Sequence, residues 1–357
     1  MNMKKVYLIL LLVLAALFLS ACSGRTVTNN WPGLSTDGER AYLASGSFVY
    51  AIDVKTGKEV WKYPESASGS LLFFATPTLT QDGQLLIGSA GSTRSLVSLD
   101  PATGKEKWSA PFNGAKGAWE AAPLVFNETI YAPNTDGYLY ILNMSGGEVS
   151  DPIELGGSLW STPVTDGTLL YVTALDHHLH VVDPATGEIK NTVDLGGGIP
   201  GSAAIGDGGV YVGSFAATVE FVQADGSHEV VANTGNWIWG TPVLSNETLY
   251  YADLSGNLFS LDLASKTQNW GTVQPDGPVV ASLLATENTI YVVAEEGKFI
   301  ALDQDGKIVW EKETGGKNYT TPVLAGDLIL VAPYQAEYAL AAYDAEGKQA
   351  WTYTPEK

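Results

Sequence analysis

Apolar and polar residues alternate along the chain in short runs, and turn-forming residues separate one run from the next. The stretch from Asp82 to Trp108 shows this pattern most clearly. Its apolar runs Leu85–Gly88 and Leu96–Leu99 flank a turn rich in glycine and serine, and a third run follows Thr103-Gly104. Aliphatic runs bounded by Gly, Asp and Thr are typical of half-buried strands joined by tight turns. The stretch therefore predicts a three-stranded antiparallel meander.

The same unit recurs eight times along the chain. An apolar residue in the strand before the glycine-rich turn recurs every 39 to 45 residues, at Tyr42, Ile87, Tyr131, Tyr171, Tyr211, Tyr250, Tyr291 and Leu330. A polar residue marks the next turn, at Asp53, Asp100, Asn143, Asp183, Gln223, Asp262, Asp303 and Asp344. A glycine follows it in every copy except the sixth, at Gly57, Gly104, Gly146, Gly187, Gly226, Gly306 and Gly347. A period of about 40 residues is typical of repeat architectures such as propellers.

One more short strand precedes each copy and often opens with Thr-Pro or Ala-Pro, as at Thr76-Pro77 and Ala122-Pro123. Each copy then has four strands, and the last copy contains its own fourth strand, Gln349–Thr354. A lone sheet of about 40 residues leaves its faces exposed, whereas a ring of stacked sheets covers them. The sequence thus predicts an all-β, eight-bladed β-propeller of four-stranded antiparallel blades, in a single domain over residues 31–357.

Five copies carry a tryptophan in the fourth strand, whereas the fourth copy has Asn191 there. We expect these indoles to lie flat between adjacent blades, as large structural contacts of the ring. The five residues are Trp61, Trp108, Trp270, Trp310 and Trp351.

The first residues are typical of a bacterial lipoprotein signal. Two lysines precede the apolar run Val6–Phe18, which is shorter than a membrane span and suits a signal peptide. The run leads into Leu19-Ser20-Ala21-Cys22, a lipobox pattern, and Cys22 is the only cysteine of the chain. We therefore predict a signal peptide at residues 1–21, lipidation of Cys22 with diacylglyceryl and palmitoyl groups, and a linker up to residue 30.

Such an anchor would hold the domain outside the cytoplasm. It would sit either on the outer face of the cytoplasmic membrane or on the periplasmic face of the outer membrane. The chain has 19 Lys and Arg against 39 Asp and Glu, which gives a formal net charge of −20. A surface this acidic repels phosphate backbones, so nucleic acid is excluded as a partner. We expect a monomer that meets the membrane only through its anchor.

The run Leu-Asp-x-x-Thr-Gly-Lys-x-x-Trp at residues 99–108, with its partial copies, resembles the quinoprotein-type (PQQ-like) β-propeller repeat. With the lipobox and eight copies, the chain is similar to the BamB-like lipoproteins of the outer-membrane β-barrel assembly machinery. The resemblance covers residues 30–357. It implies a non-catalytic scaffold that binds proteins or exported polypeptide at the cell envelope.

Quinone-dependent dehydrogenases of the same superfamily use their cofactor with Ca²⁺, a catalytic Asp and typically an adjacent cysteine pair. Because this chain has no cysteine besides Cys22, that activity is the weakest of the alternatives. We therefore expect no cofactor, no catalytic residue and no enzymatic activity.

The segment 176–180 (Asp-His-His-Leu-His) holds three of the four histidines. In a strand His178 and His180 share a face, but Tyr138 and Tyr140 occupy the same places in the third copy. We interpret the two histidines as packing residues, with Zn²⁺ or Cu²⁺ binding as the open alternative. The segment 303–306 resembles the start of a calcium loop but lacks the bidentate Glu, so we expect a plain turn and no metal site.

Aromatic residues stand just before the inner strands of several copies. They are Phe74, Trp119, Trp160, Trp237, Trp239 and Tyr319, with Trp31 as a weaker member. A propeller chain crosses one face between consecutive blades, so we expect these side chains to ring the mouth of the central channel. There they would bind a protein segment or, as the second candidate function, a solute or glycan. The alternative interpretation is that they plug the channel as core.

Overall fold

The computed structural model describes residues 31–356 of the chain, so the predicted signal peptide, Cys22 and the linker lie outside the described residues. These described residues form one compact unit. The described part is built from strands and turns arranged as eight antiparallel sheets in chain order, which confirms the predicted all-β, eight-bladed propeller. Within residues 31–356 no helix is long and apolar enough to cross a membrane.

The first four blades contain the strands β1 (Gly33–Thr36), β2 (Arg40–Ser45), β3 (Phe48–Asp53), β4 (Glu59–Tyr63); β5 (Thr78–Leu79), β6 (Leu85–Gly88), β7 (Leu96–Leu99); β8 (Leu124–Phe126), β9 (Thr129–Pro133), β10 (Tyr138–Asn143), β11 (Ile153–Glu154); β12 (Val164–Thr165), β13 (Leu170–Thr173), β14 (His178–Val182) and β15 (Ile189–Asp194). The last four contain β16 (Ala204–Gly206), β17 (Gly209–Gly213), β18 (Thr218–Gln223), β19 (His228–Asn233); β20 (Val243–Ser245), β21 (Thr248–Ala252), β22 (Leu258–Asp262), β23 (Thr267–Gln268); β24 (Leu284–Ala285), β25 (Ile290–Val293), β26 (Lys298–Leu302), β27 (Ile308–Glu313); β28 (Val323–Ala325), β29 (Leu328–Val331), β30 (Leu340–Tyr343) and β31 (Gln349–Tyr353).

The two middle strands of each blade carry most of the core. The burial pattern of β6 and β7 is continuous, and buried residues of neighbouring blades form shared clusters, as between Leu99 of the second blade and Tyr42 of the first. A strand that is covered on both faces reads as an unbroken apolar run. The inner and outer strands are half-exposed, which explains why their sequence signal is weaker.

The turn between the third and fourth strands shows why its polar residue recurs. Asp53 accepts hydrogen bonds at Oδ1 from the backbone N–H of Thr56 (2.8 Å) and from its hydroxyl (2.7 Å). Gly57 closes the turn with φ of +68°, a conformation that glycine adopts without steric cost. In the sixth copy, which lacks this glycine, Lys266 takes the same place with φ of +56°.

Strand pairing corrects one position of the repeat register. We call the recurring apolar residue of the second strand the registered residue. In seven copies it pairs with the third-strand residue that lies two positions before the polar turn residue, as Tyr42 pairs with Ala51. In the second blade Leu86 makes this pairing, with Ser98, whereas Ile87 pairs with Val97. The equivalent residue is therefore Leu86, and the first two spacings become 44 and 45 residues. Leu, Ile and Tyr all suit a buried strand, so composition alone could not separate neighbouring positions.

The second blade also differs from the predicted four strands. Only β5, β6 and β7 form its ladder, and isolated bridges between Leu99 and Glu106 and between Leu96 and Phe112 replace the fourth strand. Pro111 interrupts the segment between these bridges, and proline cannot donate to a ladder. The repeat with the clearest sequence motif thus has the least regular outer edge.

Adjacent blades meet at a contact that we call the seam, where a side chain from the outer edge of one blade covers the turn of the next blade. Five turn glycines face an indole so closely that an added Cβ would lie 2.5 to 2.7 Å from it. The pairs are Trp61 on Gly104, Trp108 on Gly146, Trp270 on Gly306, Trp310 on Gly347 and Trp351 on Gly57. Each of the five indoles thus lies against a turn glycine of the next blade.

A hydrogen bond reinforces most of these seams. The indole N–H donates to the carbonyl of the residue after the turn acid or amide of the next blade, as Trp61 does to Pro101 (3.0 Å) and Trp310 to Ala345 (2.8 Å). In the fourth blade the amide of Asn191 donates to the equivalent carbonyl, that of Ala224 (2.7 Å). Asparagine therefore keeps the hydrogen bond of the seam but lacks the apolar contact that an indole ring makes with the turn glycine.

The ring closes through a seam of the same kind. Trp351 of the last blade lies on Gly57 of the first and donates its indole N–H to the carbonyl of Val54 (2.8 Å). Tyr353 donates its hydroxyl to Glu59, and β31 is the fourth strand that the sequence predicted for the last blade. Closure thus joins two complete blades by side chains rather than by completing one blade with a distant strand.

Candidate functional site

One residue from each blade faces the entrance of the central channel. In each blade one residue of the inner strand pairs with the recurring apolar residue of the second strand, as Ser35 pairs with Tyr42. The residue that lies four places before this inner-strand residue faces the entrance, and we call its place the mouth position. The eight mouth residues are Trp31, Phe74, Glu120, Trp160, Pro200, Trp239, Val280 and Tyr319. All eight line a single cavity of about 320 Å³.

Four aromatic mouth residues from separate blades converge in this cavity. The ring centroids of Trp31 and Trp160 are 6.1 Å apart, although these residues belong to the first and fourth blades. Trp160 also lies 6.3 Å from Trp239, and Trp31 lies 6.2 Å from Tyr319. Their tilted contacts are within the range of favourable aromatic pairs. The mouth is therefore narrowed by indole and phenol rings, which line the cavity together with small and hydroxyl-bearing residues such as Ser161 and Thr162.

Trp119, which the sequence assigned to the mouth, lies in the core. It precedes the mouth position by one residue, is 1% exposed and packs edge-on against Phe112 and Tyr140. In the second blade and in the fourth to eighth blades, the residue one place before the mouth position is also buried. These residues are Phe73, Leu159, Ile199, Ile238, Val279 and Asn318. A shift of one residue in extended chain turns a side chain to the opposite face, so Trp119 is a packing residue.

Trp237 also lies outside the cavity. It stands two residues before the mouth position, is 52% exposed and stacks on Phe215 with ring centroids 4.9 Å apart. Phe215 in turn lies 5.4 Å from Trp239, so Trp237 extends the aromatic surface outward along the rim. Of the six predicted residues, the cavity contains Phe74, Trp160, Trp239 and Tyr319, and Trp31 joins them.

Glu120 is the mouth residue that the aromatic pattern missed. It occupies in the third blade the place that Phe74 and Trp160 occupy in the second and fourth. Within residues 31–356 its carboxylate has no ion pair and no side-chain hydrogen bond, and burial raises the pKa of this carboxyl. Counting three residues back from Pro123, as from Pro77 to Phe74, would have found it from the sequence.

A second carboxylate near the mouth is neutralised. Glu295 accepts a hydrogen bond from the hydroxyl of Tyr319 (2.9 Å) and pairs with the Lys317 ammonium (2.8 Å). The hydrogen bond from Lys317 holds the pKa of Glu295 below its usual value, although burial opposes this. The pair fixes the Tyr319 ring at the edge of the cavity and leaves Glu120 as the carboxylate without a described partner.

The channel wall behind the mouth is held by hydroxyl groups from one blade to the next. The backbone N–H of Ser202 donates to Thr241 Oγ1 (2.9 Å), that of Thr241 to Ser282 Oγ (2.9 Å), and that of Ser282 to Thr321 Oγ1 (3.1 Å). These residues stand two places after the mouth position in four successive blades. The aromatic rings therefore stand on a cross-linked wall, which favours a preformed binding surface.

The histidine segment forms an ordinary hairpin. His177 lies in the turn with φ of +78°, and His180 is buried with Nδ1 3.2 Å from the hydroxyl of Thr192. His178 lies 3.4 Å from Asp176, and burial lowers the pKa of His180. No group of three or more His, Cys, Asp or Glu side chains in residues 31–356 is placed to hold a metal ion. The side chain of Asp303 accepts turn hydrogen bonds from the backbone N–H groups of Asp305 and Lys307.

The sequence of the chain matches that of a known protein family and of two curated proteins. The sequence model described as "Outer membrane protein assembly factor BamB" matches residues 20–193 and 272–357. The chain is 26% identical to the BamB of Burkholderia pseudomallei over 114 residues, which is 32% of this chain and 29% of that protein. It is 26% identical to the BamB of Bordetella pertussis over 120 residues, which is 33% of this chain and 30% of that protein. These matches span less than a third of the length of either relative.

Solved structures resemble the fold over most of its length. The crystal structure of BamB from Moraxella catarrhalis gives a TM-score of 0.66 at 15% identity and covers 88% of this chain and 91% of that one. The computationally designed protein Ika8 gives a TM-score of 0.70 at 12% identity, over 90% of this chain and 96% of that one. Because a designed protein matches as well as a natural one, this structural similarity supports the propeller fold and carries no information about function.

Proposed function

The chain belongs to the family of the outer membrane protein assembly factor BamB, and on this premise we propose that it is a non-catalytic scaffold of the bacterial cell envelope. It binds a protein partner or exported polypeptide through the aromatic mouth. Lipid on Cys22 anchors it to a bacterial membrane, and the propeller acts as a monomer. The name of the relatives supports an assembly role, and the acidic surface supports a partner other than nucleic acid.

The observation that carries the proposal is the convergence of aromatic side chains from separate blades in one cavity. Trp31, Trp160, Trp239 and Tyr319 meet there, and each remains partly exposed. Clustered Trp and Tyr side chains that keep accessible surface are the usual anchors of protein recognition. Trp237 adds a stacked aromatic platform at the rim, where an extended polypeptide approaching the mouth would contact it.

The same cavity supports a second candidate, the recognition of a solute or glycan. Indole faces stack on sugar rings, and hydroxyl groups such as those of Ser161 and Thr162 line the cavity beside Trp160. The two candidates differ in what the cavity holds. A glycan would occupy it directly, whereas a protein partner would also contact the rim around Trp237.

Site-specific photo-crosslinking in intact cells tests the scaffold function. A photoreactive amino acid at Trp237 reports on the mouth face. The matched control carries it at Glu247, an exposed turn residue between β20 and β21, at the end of the blade opposite the mouth. We expect a defined protein adduct from position 237 and none from position 247. Equal adducts from both positions, or none from either, would refute a protein site at the mouth.

The glycan candidate is tested by the variants Trp160→Ala and Trp239→Ala. If both variants keep the protein adduct at position 237 but abolish binding on a glycan array, the aromatic cavity holds a glycan, and the proposal that the protein partner binds through the mouth is wrong. For the anchor, we expect radiolabelled palmitate to be incorporated by the unaltered chain and lost in Cys22→Ser. Retention of the label in that variant would contradict lipidation at Cys22.

A further inference from the structure

We propose that the mouth binds one basic side chain, an arginine or a lysine, of a partner polypeptide between Glu120 and the aromatic rings. The inference rests on the proposed scaffold function and specifies what the mouth recognises. It begins from the composition of the eight mouth positions. Seven of them are uncharged and the eighth is a carboxylate, so the cavity has a single formal charge, which is negative.

The surroundings of Glu120 lack the group that would balance it. Among residues 31–356 neither an ion pair nor a hydrogen bond reaches its side chain, and Lys317, the cation two residues before the mouth residue Tyr319, is already paired with Glu295. A half-buried carboxylate without a partner costs free energy, because removal from water is not compensated. The raised pKa of Glu120 reflects this loss of water. A cationic ligand would supply the missing partner.

The aromatic walls favour the same ligand. The faces of Trp and Tyr rings carry negative potential and attract a guanidinium or ammonium group within about 6 Å of the ring centre. Trp31, Trp160, Trp239 and Tyr319 stand around the same cavity as Glu120. A carboxylate for the charge and indole faces for the planar group or its methylene stem together fit arginine or lysine better than any neutral side chain.

The size of the cavity sets how much of a partner can enter. Its volume of about 320 Å³ lies at the lower end of the range of small-ligand sites, which is about 300–1,000 Å³. A single long side chain fits such a space, whereas a helix or a strand does not. The rest of the partner would therefore remain at the rim, beside the stacked pair Trp237 and Phe215.

The test is calorimetric titration of the purified full chain with two peptides. The probe is acetyl-Gly-Gly-Arg-Gly-Gly-amide, and its match carries citrulline, which has nearly the same shape as arginine without the charge. We expect heat of binding from the arginine peptide and at least about tenfold weaker binding of the citrulline peptide. Free tetramethylammonium separates a general cation site from one that needs the peptide, and we expect it to bind more weakly than the arginine peptide.

Two variants locate the binding in the mouth. Glu120→Gln should reduce the arginine peptide's affinity about tenfold and leave the citrulline peptide unchanged. The matched control Glu247→Gln removes an exposed carboxylate at the opposite end of a blade and should change neither affinity. Equal affinity of both peptides for the unaltered chain, or an equal loss in both variants, would overturn the inference.

Arg25 of the linker is a cation of this chain that could compete, so the titration is repeated with Arg25→Gln. Unchanged affinity supports a partner's side chain as the ligand, whereas a gain of about tenfold would assign the mouth to the chain's own linker and overturn the inference.

The scaffold function is tested by a separate measurement, the protein adduct at position 237. A protein adduct at position 237 together with absent arginine selectivity would refute the basic ligand alone, and loss of the adduct would refute the scaffold function.

Discussion

The seams and the mouth are built from the same eight repeats, but they differ in how closely they keep to the repeat. At the seams one contact recurs, with an indole on a turn glycine in five of the eight junctions and an amide in place of the indole in a sixth. At the mouth eight equivalent positions carry six residue types. The seam positions are constrained because each blade must be covered by its neighbour. The mouth is free of that requirement, which makes it the place where a propeller can acquire a specific function.

The largest expected effect is at a seam. Trp61→Ala should lower the free energy of unfolding by about 3–5 kcal/mol, because it empties a site that is 9% exposed and removes the hydrogen bond to Pro101. Trp160→Ala at the mouth should cost less, about 1–2 kcal/mol, since this side chain keeps part of its surface exposed to water. Urea denaturation of both variants measures the difference. Similar losses would erase the distinction between seam and mouth.

The next effect separates the two reasons for a seam glycine. Gly104→Ala should cost about 3 kcal/mol, because φ is +70° and the new Cβ would lie 2.7 Å from the Trp61 ring. Gly83→Ala is the matched control, with φ of +74° and open space around the added atom, and should cost about 1 kcal/mol. The urea midpoints of the two variants, compared at an unchanged denaturant dependence of the unfolding free energy, measure both losses. A loss at Gly83 as large as that at Gly104 would leave backbone strain as the whole cause.

A smaller effect is expected where asparagine replaces the indole. Asn191→Ala should cost about 1 kcal/mol, because the Ala224 carbonyl loses its donor at a half-buried seam. Asn236→Ala, which removes an exposed bond to Ser255, should cost less than about 0.5 kcal/mol in the same denaturation experiment. An Asn191 variant as stable as the unaltered chain would mean that this seam depends on apolar contact alone.

The smallest effect is at Glu120 and has the opposite sign. Its folded-state pKa lies above the unfolded value near 4.5, so the folded chain binds the proton more tightly and stability falls as pH rises through the raised pKa. Glu120→Gln should therefore be slightly more stable than the unaltered chain near pH 7 and lose this advantage below pH 4. Thermal unfolding across that range measures it. A variant that is less stable at pH 7 would indicate a partner for the carboxylate within the fold.

Two errors of the sequence interpretation have one origin, a displacement of one residue. The registered position of the second blade is Leu86 rather than Ile87, and Trp119 is one residue too early for the mouth. Glu120 differs in residue type from the aromatic mouth residues, so only its position in the repeat identifies it as a member of the mouth. In extended chain a single step reverses the direction of a side chain, and composition does not reveal the step.

The sequence by itself determined the all-β class, the number of blades, the turn chemistry at residues such as Asp53 and the seam tryptophans. These features depend on local turn geometry and on a period that repeats eight times, so each copy corroborates the others. Only the tertiary structure decided what happens once per ring. It brought Trp31 of the first blade against Trp160 of the fourth, placed Glu120 among the aromatic rings and closed the circle through Trp351 and Gly57. Contacts across the axis join residues more than a hundred positions apart, and no periodicity in the chain encodes them.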